Sequence, residues 1–177
     1  MPTVITHAIV PISIGLGLGR KAVPIRLMAA GAIFAMLPDA DVIAFKFGIA
    51  YSDALGHRGA SHSLLFAAAA PLLMLPFKRF FGVSAVKLWA FLFVALLSHS
   101  LLDACTTGGL GVAWLLPFSD ERFFAPFQMI RVAPFGISAY LTDRGVAVIL
   151  SELLWVWLPM FCIGAILRAA RYAKLKT

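Results

Sequence analysis

Five stretches of this chain, residues 3–19, 22–37, 63–77, 84–104 and 145–167, are almost free of charge. Between them they hold only Arg26, Lys87, Asp103 and Glu152 as charged side chains. A water-soluble fold cannot hide five such stretches in a chain of 177 residues. A bilayer can, because about 20 apolar residues in a helix cross its hydrocarbon core. Backbone polar groups cannot stay unpaired in lipid, so helices are the expected spanning form. The composition agrees: 62% of residues are hydrophobic and 13% charged, too few charges to clothe a water-facing surface. The sequence therefore predicts an all-α integral membrane protein, a single transmembrane domain over residues 1–177 built as a compact bundle of about five helices. Several stretches are short, and tilt or local thinning is expected to absorb the mismatch. Pro38 is expected to end the second, because proline discourages helix at the residue before it.

The segments between the spans alternate in character. Arg20, Lys21 and Arg26 flank the first junction, Lys78, Arg79 and Lys87 the third, and Arg168, Arg171, Lys174 and Lys176 follow the last span. These regions carry ten of the fifteen basic residues and no acid. The outer segments, 38–62 and 105–144, carry the acids with a few arginines. Five spans place every basic region on one side, which the positive-inside rule makes cytoplasmic. The N-terminus is then outside and the basic C-terminus inside. Met1 to Thr6 contains no basic residue, so the first stretch reads as a span and not as a cleavable leader. The net charge of +7 at pH 7 follows from this distribution and does not call for nucleic acid. Cys105 and Cys162 are too far apart in sequence to suggest a thiolate zinc site.

All four histidines, His7, His57, His62 and His99, map to the outer face, together with Asp39, Asp41 and Asp103. His99 and Asp103 stand four residues apart at a helix end, a spacing that stacks both on one face. Imidazole with carboxylate suits zinc or a similar divalent ion. LPDAD supplies Asp39 and Asp41, which an extended turn would aim at one site. HRGASHS supplies His57, Arg58 and His62; the two histidines need an irregular turn at Gly59 to converge, and Ser61 is expected to cap the next helix. His7 sits inside the first span about one turn from its outer end, and ionisable groups at that depth face the bundle interior. Each feature taken singly has a plain structural alternative; their convergence on one face does not.

Beyond HxxxD, Thr106, Thr107, Gly108 and Gly109 form a turn whose backbone N–H groups could approach a substrate oxyanion. GVAWLLPFSDERFFAPF interleaves aromatics with Asp120, Glu121 and Arg122, as an interfacial cover would. Glu152 is expected either to pair with a site arginine or to lie at the interface.

THAIVP, LPDAD, HRGASHS, SHSLLDACTTGGLGV and LPFSDERFFAPF, in that order over residues 3 to about 165, resemble the YdjM-like inner-membrane metal-dependent hydrolases, also described as LexA-binding or LexA-regulated. The resemblance implies an inner-membrane location and a metal-dependent hydrolase. A more distant likeness is to secreted zinc-dependent phospholipases C, which also run His, Asp, His and then HxxxD. By that order His7, Asp39, His62, His99 and Asp103 would be metal ligands. Those enzymes place further histidines after HxxxD, and here none follows His99. The likeness then implies one ion, or two if Asp41 and His57 join. HxxxD is also similar to the phosphatidic-acid phosphatases, whose basic upstream signature is absent.

These observations predict a membrane-embedded hydrolase of a phosphoester in a lipid or membrane-proximal substrate. Its cofactor would be a divalent metal, zinc before manganese. Asp41 or His57 would be the general base, and Arg58 would hold the substrate anion with paired donors. The partner is a membrane lipid or lipid-linked substrate, with no nucleic acid bound directly. The rival readings are a metal-handling or transport protein and a non-catalytic scaffold.

Overall fold

The structure, a computed structural model, describes residues 1–133 and 140–174. Part of the predicted outer segment, 134–139, and Lys176 lie outside the described residues. Helices account for the architecture, and no strand forms among the described residues beyond isolated bridges of Thr106 with Ile130 and Val112 with Phe123.

Four helical stretches are long and apolar enough to cross a membrane: Ile25–Phe47, Leu64–Phe81, Ala85–Ala104 and Asp143–Lys174. The first helix, α1 (Val4–Leu18), is apolar but shorter. A helical stretch thus covers each of the five expected segments, with altered bounds. The second does not stop at Pro38. Helix α2 (Ile25–Met36) passes into a 3-10 segment, Leu37–Phe47, with Pro38 in its first turn. Proline there removes one donor from the ladder of the continuing helix, and the winding changes to 3-10 at that point. The segment ends where Gly48 turns left-handed at φ 75°. Asp39 and Asp41 therefore ride on a helix and not on an extended turn.

The third span starts as α3 (Leu64–Ala69), tightens into 3-10 over Ala70–Phe77 and finishes as α4 (Lys78–Phe81). Pro71 and Pro76 lie in the tightened part, where each removes a donor from the ladder. Its N-cap is Ser63, whose Oγ accepts from Phe66 N at 3.0 Å, and not Ser61. The fourth span is one uninterrupted helix, α5 (Ala85–Ala104), capped by Ser84. The fifth comprises α6 (Asp143–Glu152), a π-helical turn (Leu153–Trp157) and α7 (Leu158–Lys174), longer at both ends than its apolar run.

Helix α1 packs against α2, α5 and α7. It approaches α7 closely because both contact positions are glycine: a Cβ on Gly17 would stand 2.7 Å from the Gly164 carbonyl. Small residues allow such backbone contact between membrane helices. At one end of this pair Thr3 meets Glu152, and at the other Arg171 lies over Gly19, so the first and fifth spans run parallel. Arg26 donates to the Phe80 carbonyl at 3.1 Å, which brings two basic junctions together. The basic junctions and the histidines thus occupy opposite ends of the bundle, as alternating loops require. An apolar core of Val23, Leu27, Phe81, Leu88 and Leu92 fills the basic end.

Candidate metal centre

The histidine end is built from four chain segments. Helix α1 delivers His7, the 3-10 extension of α2 delivers Asp39 and Asp41, the turn before α3 delivers His57, Arg58 and His62, and the last turns of α5 deliver His99 and Asp103. Asp39, His62, His99 and Asp103 each offer a ligand atom, all within 4.8 Å of one another. His99 Nε2 lies 3.5 Å from Asp39 Oδ1, and His62 Nε2 lies 3.5 Å from Asp103 Oδ2. His7 stands at the edge of this group, its Nε2 3.7 Å from both Asp39 Oδ2 and Asp103 Oδ1. Its ring stacks on His99 at 3.7 Å. All five side chains are buried.

The ring nitrogens show which atoms are available. His99 Nδ1 sits 2.7 Å from the Ala35 carbonyl, which can only accept, so that nitrogen carries the proton and Nε2 keeps its lone pair. His62 Nδ1 faces Asp41 Oδ2 at 3.2 Å and Ser61 Oγ at 2.9 Å, which again turns Nε2 inward. The two Nε2 atoms then face each other at 2.9 Å. Two bare lone pairs at that distance repel unless a cation lies between or beside them. A proton is one such cation. Burial disfavours a charged His62, but the carboxylates of Asp103 and Asp41 beside it outweigh that and raise its pKa to about 9. Among the described residues, both oxygens of Asp39 and of Asp103, and both nitrogens of His7, have no aligned hydrogen-bond partner. Buried acceptors without donors are costly, and a divalent ion would satisfy them together. The donor set of imidazole and carboxylate fits zinc or manganese.

Asp41 belongs to a second layer. It accepts from His57 Nδ1 at 2.6 Å, Ser61 Oγ at 2.7 Å, the Arg58 amide at 3.1 Å and His62 Nδ1 at 3.2 Å. A carboxylate with four donors orients its neighbours and is a poor base itself. Asp41, His57 and His62 are also close enough to hold an ion as a group. The irregular turn expected at Gly59 is present, and it begins one residue earlier: Arg58 is left-handed at φ 63°, and Gly59 follows at ψ −129°. The turn brings the His57 and His62 rings to 5.7 Å.

Arg58 differs most from its expected part. Its side chain is fully buried, and each guanidinium nitrogen meets a protein acceptor. Nε lies 2.9 Å from Asp103 Oδ2, as an ion pair without hydrogen-bond alignment. Nη1 donates to the Gly108 carbonyl and Nη2 to Thr106 Oγ1, each at 2.9 Å. In this geometry Arg58 orients Asp103 and ties down the following turn. The glycines of that turn serve this approach: Gly109 sits at φ 93°, and a Cβ there would stand 2.8 Å from Arg58 Nη1 and from Tyr51 Oη. Thr106 is buried, while Thr107 and Gly109 are exposed.

Arg122 was placed in an interfacial cover. Asp120, Glu121 and Phe118 are exposed as that predicts, but the Arg122 guanidinium turns back and donates to the carbonyls of Tyr51, Ser52, Asp53, His57 and Arg58 at 3.2–3.4 Å. It fastens the segment that carries His57. Among the described residues Glu152 pairs with no arginine. Its carboxylate is buried against Thr3 and Thr6 at the start of α1, so of the two sequence expectations the pairing with a site arginine is not met. The Ala35 carbonyl behind His99 left no mark in the sequence, because every residue offers one.

Known proteins supply the context. Inner membrane protein YbcI of Escherichia coli (strain K12) is 62% identical over 160 residues, covering 90% of this chain and 92% of that protein. No solved structure matches. The description "YdjM inner membrane protein" matches residues 1–176. The chain is therefore a multi-pass inner membrane protein and belongs to the YdjM inner membrane protein family.

Proposed function

We propose that this protein is a membrane-embedded metal-dependent hydrolase acting on a phosphoester of a lipid or membrane-proximal substrate. The observation that carries the metal is the pair of Nε2 atoms facing each other at 2.9 Å beside carboxylates that accept no aligned hydrogen bond among the described residues. His62, His99, Asp39 and Asp103 would hold the ion, with His7 as a further ligand. The ion would supply a bound water of lowered pKa and stabilise developing negative charge.

The remaining residues have separable parts. Asp41 holds the proton of His57 on Nδ1, which makes Nε2 the basic nitrogen; His57, oriented by Asp41, is the general base. Arg58 keeps Asp103 in place from behind. The exposed Thr107 and Gly109 form the rim where a substrate anion would meet backbone N–H groups. The site would face outward and the basic C-terminus the cytoplasm, by the charge rule.

A second reading has its own support. The ligand side chains are all buried, as in structural metal sites, whereas catalytic sites keep a position open to substrate. A non-catalytic scaffold with a structural ion would look the same at the ligands. One experiment separates the two. Purified protein in detergent is analysed for bound metal, then offered long-chain phosphoester lipids, alongside His57→Ala. The hydrolase reading expects stoichiometric metal in both, with turnover lost in the variant. Metal without turnover of any phosphoester leaves the scaffold, and absence of metal after reloading sinks both.

A further inference from the structure

Glu152 is a buried carboxylate in the fifth span that the proposed chemistry does not use. Its partners all belong to the start of α1. Oε1 accepts from the Thr3 amide at 2.6 Å, and Oε2 accepts from Thr3 Oγ1 and Thr6 Oγ1, each at 2.6 Å. Thr3 is the N-cap of α1, yet its own side chain makes no capping bond. The cap comes from another helix instead, and a carboxylate there also meets the positive end of the α1 dipole.

The π-helical turn explains how one helix reaches α1 twice. In i→i+5 winding, residues five apart come near the same face, whereas in an α-helix they diverge. Glu152 precedes that turn and Trp157 ends it, five residues on, and Trp157 Nε1 donates to Thr6 Oγ1 at 2.9 Å. Thr6 is thus held by both, and His7 is the next residue.

His7 needs such a device. A metal-binding histidine ordinarily donates its second ring nitrogen to a carbonyl or carboxylate that fixes its orientation. His99 has the Ala35 carbonyl and His62 has Asp41. His7 makes no hydrogen bond through either nitrogen among the described residues. Its placement comes from the helix that carries it. We infer that Glu152 is a positioning residue for His7, setting the rotation and depth of α1 at the metal centre through Thr3 and Thr6. This rests on the metal centre proposed above.

The test is a double-mutant cycle on the full-length protein, with cobalt(II) as the probe metal. Glu152→Ala is expected to weaken cobalt affinity about tenfold, the lower end of the effect of residues that orient a ligand, and to shift the ligand-field bands as His7→Ala does. The decisive measurement is Glu152→Ala/His7→Ala, which should bind no more weakly than His7→Ala alone. An additive loss in the double variant overturns the inference, because Glu152 would then act on the whole fold. Glu152→Gln, which keeps the shape, replaces the alanine variant in the cycle if that protein does not fold. Wild-type protein that takes up no cobalt removes the metal centre itself, a result distinct from additivity.

Discussion

Nε2 of His62 and Nε2 of His99 face each other at 2.9 Å, and each ring is turned that way by the hydrogen bond its Nδ1 makes. The rings are held inward by partners outside the cluster. Removing a ligand and removing its orienting partner should therefore differ in degree. Asp41→Asn is expected to cost about 10–100-fold in zinc affinity, as outer-layer partners usually do. His99→Ala with Asp103→Ala should abolish stoichiometric binding. Competition with a chromophoric chelator measures both, and equal losses would deny Asp41 its orienting part.

The same proton that bridges the rings must leave when an ion enters. With His62 raised to about 9, zinc affinity should climb about tenfold per pH unit from neutrality to about pH 9 and flatten above it. Without metal, a raised pKa stabilises the fold while the proton is bound. That contribution is full below the ordinary value of 6.5 and is lost as pH rises through about 9. Thermal unfolding of the apoprotein across that window should fall with pH, and added zinc should flatten the curve.

Gly109 permits Arg58 and Tyr51 to reach the turn after α5. Gly109→Ala places a Cβ 2.8 Å from both, at a φ of 93° that alanine rarely adopts. A destabilisation of about 1–3 kcal/mol is expected from the backbone strain alone. Gly108→Ala is the control, because a Cβ there meets only Val132 at 3.5 Å. Comparable melting temperatures for the two variants would count against this account of the turn.

The spans were legible because apolar length dominates composition, and the ligands because imidazole and carboxylate are rare at that depth. The sequence misled where local rules met tertiary structure. Pro38 marks a helix stop in isolation, yet the chain continues as 3-10 helix and carries Asp39 and Asp41 on two sides of His62. Arg58 and Arg122 look alike as outer arginines ready for an anion. The fold buries the first and aims the second at five carbonyls. Glu152 was ambiguous because its partners are hydroxyls nearly a whole chain away, at Thr3 and Thr6.

Arg58→Lys tests whether charge or shape matters behind Asp103. The guanidinium serves Asp103, the Gly108 carbonyl and Thr106 in one plane. An ammonium keeps the charge but cannot present that fork. Leaving the Gly108 and Thr106 acceptors without donors should cost about 1–3 kcal/mol. Asp103 would lose its fixed orientation, so zinc affinity should fall while the span helices remain. Circular dichroism with zinc titration reads both. If the lysine variant binds zinc as the wild type does, then charge alone holds Asp103, and the fork serves only the turn.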